Sequence, residues 1–208
     1  MSIICPTVTA YDIDTFNDQL RLVSGFAKRI HIDLMDGELS PTKSPDVSQL
    51  WRPEGVEVDI HVMYKRPDNI LEELIALKPN LIIIHAESDA DIPLLASKLR
   101  VHNIKTGLAI LPQTEVADIY SLLPHVQHAL IFGGHLGYHG GTADLAQLHK
   151  AAELKKMSRH LEIGWDGGAN EQNVFEIAQN GVDVINVGSA IHKAKNQKNA
   201  FEQLVSLV

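Results

Sequence analysis

The chain has 208 residues, a formal charge of −8 and 45% hydrophobic residues. That suits one large domain with a sizeable core, and the acidic balance argues against a nucleic-acid backbone as the main partner. No apolar run is long enough to cross a bilayer, and the single cysteine, Cys5, excludes an intrachain disulfide.

The opening stretch MSIICPTVTAYD lacks a basic region followed by a long apolar segment, so no signal peptide is expected. With one cysteine, this points to a reducing cytoplasm. Along the chain, short β-branched runs alternate with helix-like segments. The expected strands are SIICPTV, KRIHIDLM, VEVDIHVM, LIIIHAE, IKTGLAIL, ALIFG, LEIGWDGG and VDVINVGS. Between them lie the expected helices TFNDQLRLVSGFA, PDNILEELIALK, DIPLLASKLRVH, EVADIYSLL, TADLAQLHKAAELKKM and NEQNVFEIAQNG, and KNAFEQLVSLV closes the chain. The link from Asp36 to Glu54 carries Pro41, Pro45 and Pro53 and reads mostly as loop. Eight strand candidates alternating with helices predict one closed (β/α)8 barrel, a TIM barrel, over residues 1–208. A doubly wound open sheet is the alternative, although no glycine-rich dinucleotide fingerprint follows the first strand.

Strand alternation places the chemistry. In KRIHIDLM, the residues His31, Asp33 and Met35 share one face; in VEVDIHVM, Asp59, His61 and Met63 do. The seventh candidate strand ends in Asp166. Active sites of such barrels lie at the C-terminal strand ends. Burying unpaired charge is costly. Two imidazoles and two carboxylates aimed at one interior would suit a divalent cation, which offsets that cost; the alternative is a set of hydrogen-bonded core residues. Asp59 lies one pleat deeper than His61 and reads as the partner that holds this imidazole. Met35 and Met63 taken alone read as core filler, and Asp36 as the start of a loop with Gly37.

Glycines mark the late loops. Asp166-Gly167-Gly168 and Gly188-Ser189 follow the last two strands, where barrels commonly hold a phosphate on backbone N–H groups. Two tight turns are the plainer alternative. The loop GGHLGYHGG after the sixth strand is either a lid or a flexible connection; His135 and His139 within it read as solvated, with either able to touch a substrate.

Taken together, HIDLMDG, DIHVM, IIIHAE, then Gly107, Pro112 and Thr114 in KTGLAILPQT, and finally WDGG and VGSAI resemble the ribulose-phosphate 3-epimerase family over nearly the whole chain. The resemblance implies one divalent metal ion (zinc, iron, manganese or cobalt) held by His31, Asp33, His61 and Asp166, with Asp33 and Asp166 as the acid/base pair. It implies inversion at carbon 3 between ribulose 5-phosphate and xylulose 5-phosphate through an enediolate, and so a place in the pentose phosphate pathway. Met35 and Met63 resemble the family's apolar cushion. The implied substrate contacts are Thr7, His61, Met35, Met63, Gly137, Tyr138, His139, Gly140, Gly167, Gly168, Gly188 and Ser189. The implied partner is a small phosphorylated sugar, with no nucleic acid or membrane, and relatives of this kind form symmetric assemblies, so at least a dimer is expected.

Three features depart from the family pattern. Thr7 stands where serine usually follows the first-strand proline, and Phe132 stands at the third methionine position. The loop pattern Pro-Gly-Phe-Gly-Gly-Gln aligns without gaps to Leu136, Gly137, Tyr138, His139, Gly140 and Gly141, which keep the first glycine, an aromatic and the last glycine but not the proline, one glycine and the glutamine. This loop contributes phosphate-side contacts in the family. Two alternatives therefore stay open: a 3-epimerase of another ketose phosphate, such as a hexulose 6-phosphate, and a non-catalytic phosphate-binding barrel. Lyases and decarboxylases with a D-x-K-x-x-D strand fit less well, because the equivalent positions are His31, Asp33 and Asp36 and the lysine is absent.

Overall fold

A computed structural model describes residues 2–138 and 140–208. Eight parallel strands close into a barrel in sequence order: β1 (Ile3–Val8), β2 (Arg29–Met35), β3 (Glu57–Met63), β4 (Leu81–His85), β5 (Lys105–Ile110), β6 (His128–Phe132), β7 (Glu162–Asp166) and β8 (Val184–Val187). The expected TIM barrel is thus what forms, and β1 pairs with β8 to complete it. Among the described residues, no helix is long and apolar enough to cross a membrane.

Helices cover the outside where the sequence supplies a cap and an apolar stripe. In α1 (Ile13–Ser24), the Asp12 side chain accepts from the Thr15 N–H at 2.8 Å, and Phe16, Leu20 and Val23 turn inward at helical spacing. Asp91 caps α3 (Ile92–Val101) in the same way, and Asn196 caps α7 (Gln197–Ser206). The remaining helices are short: α2 (Leu71–Ala76), α4 (His149–Met157), α5 (Val174–Gln179) and α6 (Ser189–His192).

Several expected helices are cut back. EVADIYSLL does not form an α-helix; it folds as tight 3-10 turns at Val116–Ile119 and, past it, Leu123–His125. Pro124 sits in the first turn of the second of these, where its missing N–H leaves no bond unmade. Likewise Pro67–Ile70 and Leu145–Leu148 are 3-10 turns leading into α2 and α4. The Asp36–Glu54 link is mostly loop, as expected, with one 3-10 turn at Val47–Gln49.

The main apolar core lies between sheet and helices. Inside the barrel, Leu81, Ile83, Ala109 and Leu130 form a small separate cluster. Below it, towards the N-terminal strand ends, the interior is ionic. Arg29 donates to Asp59 at 2.7 Å and, with both terminal nitrogens, to Glu162 at 2.9 and 2.8 Å; His128 Nδ1 meets Glu162 Oε2 at 2.8 Å. This corrects the expectation for Asp59. Its inward face was read correctly, but its partner is Arg29 rather than His61, because Arg29 opens the neighbouring strand on the same face and reaches across.

Candidate active site

Parallel pairing sets the site. In the β2–β3 register, Asp33 lies beside His61 and Met35 beside Met63. At the C-terminal rim, β7 ends with Asp166. His31 Nε2 stands 3.2 Å from Asp33 Oδ1 and 3.9 Å from Asp166 Oδ2; His61 Nδ1 stands 3.1 Å from Asp33 Oδ1 and 3.5 Å from Asp166 Oδ2. One ligand atom from each of the four residues lies within 4.8 Å of the others, and all four residues are buried.

This donor set fits a divalent cation. Nitrogen and oxygen ligands at about 2.1 Å in a tetrahedral shell stand about 3.4 Å apart, close to the observed separations. Neither ring nitrogen of buried His31 has a hydrogen-bond partner among the described residues, which a cation at Nε2 would remedy. The electrostatics point the same way. Burial opposes ionisation of Asp33, but the His31 and His61 imidazoles beside it outweigh burial and hold its carboxyl well below the usual range. For His61, burial disfavours the charged ring, yet hydrogen bonds to Asp166 and Asp33 lift it to about 9.

A cleft opens above these groups. Of the residues expected to contact substrate, Thr7, Met63, Gly137, Tyr138, Gly140, Gly167, Gly168, Gly188 and Ser189 line it, as do both aspartates. His31, His61 and Met35 are fully buried beneath its surface. His139 lies outside the described residues. The glycines at the rim are required sterically. Gly167 and Gly168 have φ of 115° and 68°, and a Cβ on either would overlap the backbone of the loop after β6. That loop is also tied from across the mouth: Thr42 and Tyr11 both donate their hydroxyls to the Gly137 carbonyl.

Four further residues are brought in that strand alternation was not used to find. Thr9 donates its hydroxyl to Asp33 Oδ2 at 2.6 Å. Asn186 lines the cleft from β8. His85 Nε2 lies 2.8 Å from His61 Nε2, and His85 Nδ1 lies 3.1 Å from Glu87 Oε2. Phe132 packs against both imidazoles, with ring centroids 6.2 Å from His61 and 6.4 Å from His85, and also lines the cleft. Asp36 has a structural role: its carboxylate accepts from the N–H groups of Glu38, Leu39 and Lys65, which joins the ends of β2 and β3.

Residues 3–192 match the profile described as the Ribulose-phosphate 3 epimerase family. The chain belongs to that family. A ribulose-phosphate 3-epimerase of Helicobacter pylori (strain ATCC 700392 / 26695) is 30% identical over 210 residues, covering 97% of this chain and 95% of the relative. One of Aquifex aeolicus (strain VF5) is 26% identical over 216 residues, covering 100% and 97%. By this membership the chain is an epimerase-type isomerase acting on carbohydrates. Among solved structures, orotidine 5'-phosphate decarboxylase from Pyrococcus horikoshii OT3 superposes with a TM-score of 0.70 at 13% identity, covering 99% of this chain and 98% of that one. At that identity the likeness is one of fold.

Proposed function

We propose that this chain inverts carbon 3 of a phosphorylated ketose, interconverting ribulose 5-phosphate and xylulose 5-phosphate. The observation that carries the proposal is the convergence of Asp33 and Asp166. They come from β2 and β7, two strands that do not pair, yet their carboxylates lie within one 4.8 Å cluster and line one cleft. Inversion at a carbon next to a carbonyl needs one group to take the proton on one face and another to return it on the opposite face. Two carboxylates in unlike surroundings can divide that work. Asp33 is held ionised by the imidazoles and by Thr9, which makes it the proton acceptor for one epimer, with Asp166 delivering from the other side. The direction reverses for the other epimer.

His31, Asp33, His61 and Asp166 would hold a divalent metal ion of the zinc, iron, manganese or cobalt class, which supplies positive charge where the substrate oxygens become negative. Thr7, Met63 and Tyr138 complete the proposed substrate surroundings, with Met35 packed beneath them. The methionines offer no exchangeable proton that would compete with the aspartates. Gly137, Gly140, Gly167, Gly168, Gly188 and Ser189 offer backbone N–H groups and a hydroxyl for the phosphate.

The loop from Leu136 to Gly141 favours a second reading of the same chemistry on a longer ketose phosphate, since it replaces the family's proline, one glycine and glutamine while Gly137 and Gly140 still line the cleft. Epimerase assays on pentulose and hexulose phosphates, with and without chelator, test both. Turnover of the pentulose alone is the expected result. Turnover of only the hexulose supports the second reading, and no turnover of any ketose phosphate by metal-loaded protein overturns both. We also propose at least a dimer, which light scattering of the purified chain checks.

A further inference from the structure

We infer that Glu87 and His85 form a positioning relay that selects which ring nitrogen of His61 faces the candidate metal centre. The inference rests on the metal reading above and concerns a pair of residues that the proton-transfer scheme does not use.

The order of donors follows from the far end. A carboxylate only accepts hydrogen bonds. Glu87 accepts from the Leu111 N–H at 2.9 Å, from the Thr114 hydroxyl, and at 3.1 Å faces His85 Nδ1. The proton of that last contact must therefore sit on His85 Nδ1. A neutral His85 then presents a lone pair at Nε2. This atom lies 2.8 Å from His61 Nε2, and two lone pairs cannot face each other at that distance. His61 Nε2 consequently carries a proton and donates it. The remaining ring nitrogen, His61 Nδ1, is the one turned towards Asp33 and Asp166. Each step orients the next, so an anion at the β4 loop determines the tautomer of a ring on β3.

Packing keeps the relay rigid. His61 and His85 are both fully buried, with ring centroids 4.9 Å apart and ring planes 28° from parallel, so their Nε2 edges meet. Lys150 on α4 donates to the carbonyls of Leu111 and Pro112, which holds the turn whose N–H binds Glu87. A metal-ligating imidazole whose second nitrogen donates to a fixed acceptor is oriented and made more basic, and loss of such an acceptor typically weakens metal affinity roughly 10- to 100-fold.

The test measures Co2+ affinity of the full chain by chelator competition, together with nitrogen-detected NMR of the His61 ring. The substitutions are His85→Leu, His85→Gln and Glu87→Gln. His85→Gln keeps an acceptor for the His61 Nε2 proton through its amide oxygen, so affinity within a few-fold of the unaltered chain is expected. His85→Leu has no acceptor; a loss of roughly 10- to 100-fold is expected, with the single His61 tautomer giving way to a mixture. Glu87→Gln removes the directional anion and is expected to fall between the two. Circular dichroism verifies folding, and Glu87→Gln carries the test if His85→Leu does not fold. The relay is overturned if the leucine and glutamine variants at position 85 bind equally well, if Glu87→Gln changes neither affinity nor tautomer, or if His61 Nε2 in the unaltered protein is unprotonated. Failure of the unaltered chain to bind Co2+ overturns the metal reading itself, a separate result from binding that the variants leave unchanged.

Discussion

Thr9 places its hydroxyl 2.6 Å from one carboxylate oxygen of Asp33, while the other oxygen faces both His31 and His61. Thr9 lies just past the end of β1, so the strand next to β2 reaches over the site and binds the proposed proton acceptor. A hydrogen bond to an ionised group contributes about 1.5–3 kcal/mol. Thr9→Val should therefore lower kcat about tenfold or more with little change in KM. It should also move the acid limb of the pH–rate profile upward, because a bond that favours the carboxylate is lost. Thr9→Ser should restore most of the rate. Steady-state kinetics across pH distinguish this from a purely structural effect.

Removal of metal gives a second prediction. Dialysis against a strong chelator should abolish epimerisation, and re-addition of a divalent ion should restore it. The folded apo-protein should also melt at a lower temperature, since a ligand at 100 times its Kd stabilises the native state by about 2.7 kcal/mol. Scanning calorimetry with and without metal checks this independently of activity.

The ionic floor of the barrel sets a pH dependence. Burial opposes ionisation of Glu162, but the hydrogen bonds from Arg29 and His128 outweigh it and hold its pKa below the ordinary 4.5. A carboxyl whose native pKa is depressed binds its proton less readily folded than unfolded. Its contribution is therefore complete above about pH 4.5 and is lost as the pH falls towards the native value. Glu87, held at about 2 by the His85, Thr114 and Leu111 donors against the effect of burial, adds to the same acid-side loss. Urea unfolding between pH 6 and pH 2 should show stability falling with acidity. Glu162→Gln should flatten that fall while lowering stability at pH 6.

Gly168 supplies a fourth test. Its φ of 68° and the closeness of the Ala143 backbone leave no room for a side chain. Backbone strain of this kind costs of order 1–3 kcal/mol. Gly168→Ala should destabilise the fold by about that amount and raise KM more than it lowers kcat, because the loops at the proposed phosphate end would separate. Equilibrium unfolding and steady-state kinetics measure the two effects.

Much of the architecture was legible because parallel barrel strands combine short β-branched runs with period-two alternation. Parity puts His31, Asp33 and His61 on inner faces, Asp166 follows from its place at a strand end, and the family resemblance joins them as one ligand set; the structure brings all four together. The residues left out were accessible to the same rule. Applied to the other strands, the alternation Leu81, Ile83, His85 and the alternation Cys5, Thr7, Thr9 would have placed His85 and Thr9 inside. Parity specifies a face but not a partner, and this is why Asp59 was assigned to His61. A long arginine from the neighbouring strand reaches it instead. Helix ends were the least legible, since whether stretches such as Pro67–Ile70 and Val116–Ile119 close as α or 3-10 turns depends on packing.

The central claim, that Asp33 and Asp166 move a proton at carbon 3 from opposite sides, is tested most directly by turnover of ribulose 5-phosphate in deuterated water. The account predicts solvent deuterium at C3 of the product, and loss of inverted product in both Asp33→Asn and Asp166→Asn with folding retained. Product that keeps its original hydrogen at C3, or undiminished inversion in either variant, would contradict it.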